Sequence, residues 1–102
     1  MKIFDPTHPG EILKEIYIDG HELTINDAAK AIGVTRTTLS RLINKHQSMT
    51  PEMALRLGKA FDTQAEMWLN LQRDYDLWET SQNSQEILKT VRRVQTPNQP
   101  HI

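Results

Sequence analysis

Apolar residues in this chain recur at steps of three and four, the period of a helix with one buried face, and the strict alternation of a half-exposed strand is scarce. A first helix is predicted to open within THPGE. Pro9 suits the first helical position, where its missing N–H would go unpaired anyway, and His8 or Thr7 stands where a cap is needed. Ile12, Leu13, Ile16 and Tyr17 form its apolar stripe, and Asp19-Gly20 ends it. Thr24 caps a second helix, with Asp27 as a capping-box partner and Ile25, Ala28, Ala29 and Ile32 on one face. Gly33 stops this helix, because glycine enters the left-handed conformation at least cost. Thr35 caps a third helix two residues later. Two helices joined by so short a link cannot lie side by side; they cross steeply, as in a helix-turn-helix.

Thr50-Pro51-Glu52 repeats the cap-then-proline signal for a fourth helix, with Met53, Ala54, Leu57 and Ala60 inward. Asp62 or Thr63 is expected to open a fifth, whose apolar side holds Met67, Trp68 and Leu71 and which Tyr75 and Trp78 extend or follow. SQNSQ at 81–85 reads as a break. Ile87, Leu88, Val91 and Val94 then predict a short amphipathic helix near 85–94, and QTPNQPHI, with two prolines, a frayed tail. The expected architecture is all-α, with a five-helix domain over residues 1–80 and a C-terminal extension over 81–102.

The third helix, within GVTRTTLSRLIN, has an unusual polar side. With about 100° of rotation per residue and Arg36 at the origin, Ser40, Asn44, Thr37 and Arg41 fall within about 140° of one another. Leu39, Leu42 and Ile43 fall on the opposite side, and Thr38 at the margin. That polar side carries no carboxylate and no lysine. A merely solvated helix favours Glu and Lys, which propagate helices well and pair across one turn. Small hydroxyls instead permit close approach to phosphates or base edges. Arginine supplies the planar fork that matches guanine O6 and N7, or a phosphate.

Charge sharpens this picture. The 102 residues have a formal net charge of −1, but it is unevenly spread. Residues 1–27 carry two lysines against six acids, whereas residues 28–60 carry Lys30, Arg36, Arg41, Lys45, Arg56 and Lys59 against Glu52 alone. Residues 61–82 are again acidic and residues 83–102 mildly basic. A basic patch draws polyanions whatever the overall pI.

Other functional classes find little support. Cysteine is absent, which removes disulfides, thiolate metal sites and cysteine nucleophiles and suits a reducing cytoplasm. No segment approaches the ~18 apolar residues of a membrane helix, and the N-terminus lacks the apolar core of a signal peptide. His8, His21, His46 and His101 show no metal-ligand spacing, and no nucleophile–base pair or Gly-rich phosphate loop is present. No cofactor, metal or catalytic activity is expected.

The segment INDAAKAIGVTRTTLSRLIN resembles the helix-turn-helix of phage repressors, with Ala28 and Ala29 where the helices cross, Gly33 in the turn, and Ile32, Val34, Leu39 and Leu42 at the apolar positions. With its flanking helices it resembles the Cro/C1-type (XRE, lambda-repressor-like) DNA-binding domain. HPGEIL, AAKAIGVTRTTLSRLIN, MTPEMALRL and EMWLNLQRDYDL, in that order over roughly residues 8–77, are similar to HigA-type antitoxins, also described as virulence-associated protein I. The resemblance implies a homodimer that binds a palindromic operator, one recognition helix per major groove, and that neutralises a RelE-like mRNA-cleaving toxin, HigB. Carried onto this chain, the base-reading candidates are Thr35, Arg36, Thr37 and Arg41. The backbone candidates are Thr24, Asn26, Thr38, Ser40, Asn44 and Lys45. Tyr75, Leu77 and Trp78, more apolar surface than a short fifth helix needs, are candidates for the dimer interface. A stand-alone XRE repressor without a toxin shares every residue argument about DNA.

Overall fold

The computed structural model describes residues 6–95 and 97. Among them every regular element is helical: α1 (Pro9–Ile12), which runs on into a π-helical stretch (Leu13–Ile18), then α2 (Ile25–Ile32), α3 (Arg36–Ile43), α4 (Pro51–Phe61), α5 (Ala65–Ser81) and α6 (Ser84–Leu88). This is the all-α helix-turn-helix bundle that the periodicity predicts, followed by a short sixth helix. Among the described residues no helix is long and apolar enough to cross a membrane.

The helix starts follow the local rules. His8 caps α1, its Nδ1 accepting the Gly10 N–H at 2.9 Å. Thr24, Thr35 and Thr50 cap α2, α3 and α4 by accepting the N–H groups of Asp27, Thr38 and Met53 at 3.0, 3.1 and 3.2 Å. Each bond satisfies one of the four backbone donors that a helix leaves unpaired at its N-terminus.

Three expectations need correction. The first helix does not keep an α-helical stripe. The Asp19 N–H reaches five residues back to the Lys14 carbonyl, at 2.9 Å. Such wider winding delays the phase of the side chains. Ile18 therefore joins Leu13 in the core, both fully buried, while Ile16 turns outward at 59% exposure.

The fifth helix opens at Ala65, not at Asp62 or Thr63. Asp62 ends α4 in the left-handed region, with φ 55°. The Thr63 hydroxyl is occupied elsewhere, accepting the Trp68 Nε1–H at 2.7 Å. Gln64 takes the cap position without a side-chain bond.

The sixth helix ends at Leu88, well short of 94. Ile87, Leu88, Val91 and Val94 are all exposed, so among the described residues no burial rewards further ordering. Of the proline-containing tail only Gln95 and Pro97 lie within the described residues.

The core joins Leu13 and Ile18 to Ala28, Ala29 and Ile32 of α2, Leu39 and Leu42 of α3, Met53, Ala54 and Leu57 of α4, and Trp68 of α5. The Trp68 indole is fully buried, with the Tyr17 ring 5.2 Å away. Gly10 lets α1 press onto the end of α3; a Cβ there would lie 2.1 Å from the Leu42 carbonyl oxygen. Gln72 of α5 is buried and clasps the segment between α3 and α4. Its Oε1 accepts the Met49 N–H at 2.7 Å and its Nε2 donates to Asp76 at 2.8 Å. The packing of α1 and α2 against α3 thus fixes which side of α3 remains outside.

Candidate nucleic-acid interface

Helix α3 follows α2 after Gly33, Val34 and Thr35. Gly33 sits at φ 82°, the left-handed conformation that glycine adopts most cheaply. The turn is braced from α4. Arg56 Nη1 donates to the Gly33 carbonyl at 3.0 Å and to the Ile32 carbonyl at 3.4 Å, two acceptors that the end of α2 leaves open. Arg56 Nε also donates to Glu52 at 3.3 Å. One of the six cations counted in the basic stretch therefore holds the turn together. Sequence reading missed this role because the contact spans 23 residues.

Leu39 and Leu42 turn fully inward, so the apolar side predicted for α3 is the buried one. Thr35, Arg36, Thr37 and Arg41 are exposed, and Thr38 and Ser40 are half-buried at the margins. The four base-reading candidates thus share the open side. Thr35 Oγ1 also donates to Thr38 Oγ1 at 2.9 Å, tying the first turn of α3 together. Asn44 Nδ2 donates to Ser40 Oγ at 3.3 Å. No acidic residue lies on α3. Arg36 Nη1 donates to Asn26 Oδ1 at 3.3 Å, linking the two helices of the motif across their outer edge. Among the described residues the Arg41 guanidinium makes no hydrogen bond or ion pair.

Thr24 and Asn26 are exposed at the start of α2, beside α3. Lys45 lies just past α3 with φ 64°. The His46 N–H returns to the Arg41 carbonyl at 2.8 Å and the Lys45 N–H to the Leu42 carbonyl at 3.1 Å, the paired bonds of a Schellman end. From that position the Lys45 ammonium forms an ion pair with Glu11 of α1. Lys45 therefore faces α1 and α5 as well as the end of α3.

The three interface candidates divide. The Tyr75 ring meets the His8 ring edge-on, with centroids 4.8 Å apart, and Trp78 follows at 6.0 Å from Tyr75. Together with Pro6, Thr7, His8, Glu11 and Lys45 they line a shallow depression. Leu77 lies on open surface at 55% exposure. Burial, reinforced by Lys45, holds the His8 imidazole below its ordinary pKa against the opposing pull of Glu11, Asp76 and Glu79. Burial and a hydrogen bond with Glu79 raise the pKa of the Tyr75 hydroxyl.

A helix pair joined by a three-residue turn, with an exposed, acid-free face on its second helix, defines a DNA-binding module of the helix-turn-helix class. The helix-turn-helix family model matches residues 13–68. The chain is 47% identical to the uncharacterised HTH-type transcriptional regulator YbaQ of Escherichia coli strain K12, over 76% of this chain and 69% of that one. It is 38% identical to antitoxin HigA-1 of Vibrio cholerae, over 85% and 82% of the two chains. The solved structure of antitoxin GraA in complex with its operator superposes with a TM-score of 0.83 at 34% identity, covering 94% of this chain and 98% of that one. The chain belongs to the XRE-type helix-turn-helix family that includes the HigA antitoxins.

Proposed function

We propose that this protein is an antitoxin and autorepressor, a homodimer that grips a palindromic operator through α3 and neutralises a RelE-like toxin of the HigB class. The observation that carries the DNA half is the open side of α3, where two arginines and a row of small hydroxyls meet solvent without a carboxylate between them. In this reading Arg41 and Thr37 read base edges, with Thr35 and Arg36 at the entry to the groove. Thr24, Asn26, Thr38, Ser40, Asn44 and Lys45 hold the phosphates on either side. Lys45 would exchange its Glu11 carboxylate for a phosphate on binding. The operator complex of GraA supports the mode of binding, and the likeness to antitoxin HigA-1 supports a toxin as the second partner.

Titration of a labelled promoter fragment against random DNA tests the first half. Arg41→Ala should cost ~1–3 kcal/mol on the cognate site and relax its sequence preference. An equal loss on both DNAs would remove Arg41 from base reading. Co-expression with the adjacent gene tests the second half: relief of growth arrest and a purifiable complex are expected. A failure there with DNA binding intact would leave a stand-alone repressor, the reading that the likeness to the transcriptional regulator YbaQ favours.

A further inference from the structure

The Arg36–Asn26 hydrogen bond is the contact on the open side that joins α3 to α2. We infer that Asn26 is a positioning residue: it holds the Arg36 guanidinium in a fixed orientation before DNA arrives, and so sets the sequence preference at the base pair Arg36 meets. This rests on the operator-binding reading above.

The chemistry favours this division of labour. Asn26 lies one residue into α2, and Arg36 is the first residue of α3. An asparagine carbonyl accepts while its amide donates. Here Oδ1 faces Arg36 Nη1 at 3.3 Å, so the Nδ2 donors remain available for a phosphate oxygen. Arg36 presents five N–H donors in a rigid fork. Engaging one of them at Nη1 leaves the rest of the fork for a guanine edge. A free arginine side chain carries ~2 kcal/mol of rotamer entropy, much of which is lost when it docks. A bond already present in the unbound protein removes part of that cost and selects one direction of the fork.

The two arginines of the reading face are therefore not equivalent. Arg36 is held from a second helix, whereas Arg41, one helical turn and a residue further on, has no partner among the described residues. An aspartate at position 26 would hold Arg36 by charge but present a carboxylate to the phosphates; asparagine holds it while keeping two donors outward.

The experiment is a double-mutant cycle on full-length protein, reading the ratio of affinity for the promoter fragment over random duplex at fixed salt. Asn26→Ala should lower that ratio about fivefold, equivalent to ~1 kcal/mol. In an Arg36→Ala background it should lower it no further. Asn26 is exposed, so the melting temperature should barely move. An unchanged ratio, or an equal drop in both backgrounds, would overturn the inference and leave Asn26 a plain phosphate contact. So would an Arg36→Ala variant with the wild-type ratio. NMR of the Arg36 Nε–H in the DNA-free protein supplies a separate readout. Its signal should sharpen towards that of a freely rotating side chain in Asn26→Ala, and an identical signal in both proteins would also overturn the proposal. A wild-type ratio of one would sink the operator reading itself, and the NMR signal would still decide whether Asn26 restrains Arg36.

Discussion

At the scale of single residues, the same side-chain type serves opposite ends. His8 is a helix cap because its Nδ1 is unprotonated and accepts the Gly10 N–H. Protonation would turn that acceptor into a donor, and burial with nearby Lys45 opposes it. The folded-state pKa lies below the unfolded value, so the unfolded chain binds the proton first as pH falls. The His8 contribution to stability is therefore complete above the unfolded value of 6.5 and declines as pH drops from there to the lower folded-state pKa. The facing groups are Lys45, Glu11, Asp76, Glu79 and Tyr75. His8→Asn keeps a capping oxygen and loses the titration. Its melting temperature should fall less than the wild type's between pH 7 and 5.5, by an amount that thermal melts across that range would show; parallel curves would dismiss the effect. Among the cations, Arg56 turns inward to the α2 carbonyls and Arg36 and Arg41 turn outward, a difference that composition cannot express.

At the scale of elements, much was written in short stretches. The caps at Thr24, Thr35 and Thr50 and the stop at Gly33 depend on bonds within four or five residues, so residue type and spacing suffice. The inward set on α3 was legible for the same reason: Leu39 and Leu42 repeat at helical spacing against a contrasting polar side. The start of α5 was not legible, since Thr63 carries the signal of a cap but its hydroxyl serves the Trp68 indole. Nor was the π-helical phase that exchanges Ile16 for Ile18, which follows from packing against the rest of the bundle. Gln72 gave no sign of burial, because its partner Met49 lies 23 residues away. That Thr35, Arg36, Thr37 and Arg41 share one outer side of α3 is legible in the sequence, but the Asn26–Arg36 bond and the turn of Lys45 towards Glu11 need the folded chain. The junction of α1 with α3 yields a direct test. Gly10→Ala places a methyl 2.1 Å from a backbone oxygen, which no rotamer change can relieve. It should destabilise the fold by ~1–3 kcal/mol, the usual cost of overpacking, read as a lower urea midpoint. A midpoint at the wild-type value would mean that α1 can shift without loss.

At the scale of the whole molecule, the proposed operator sets a requirement on how two copies would be arranged. A palindromic site needs two reading helices about one DNA turn apart, hence two copies in fixed relation. Leu77, exposed on a helix whose Tyr75 rests against the His8 ring, is the place to test that relation. Leu77→Glu should convert a dimer to a monomer in light scattering at micromolar concentration and weaken operator binding. A wild-type monomer, or an unaffected dimer, would move the interface elsewhere. The inward turn of Arg56 has a last consequence, for the ion atmosphere of the duplex. Each phosphate neutralised by protein drives off condensed counterions, and the logarithm of affinity falls with that of salt by about 0.9 per phosphate. Arg56 already serves its own backbone, whereas Lys45 in the proposed complex exchanges its Glu11 carboxylate for a phosphate. Each protomer should therefore displace fewer ions than its six mid-chain cations suggest, with a slope about one unit shallower than their full count would give.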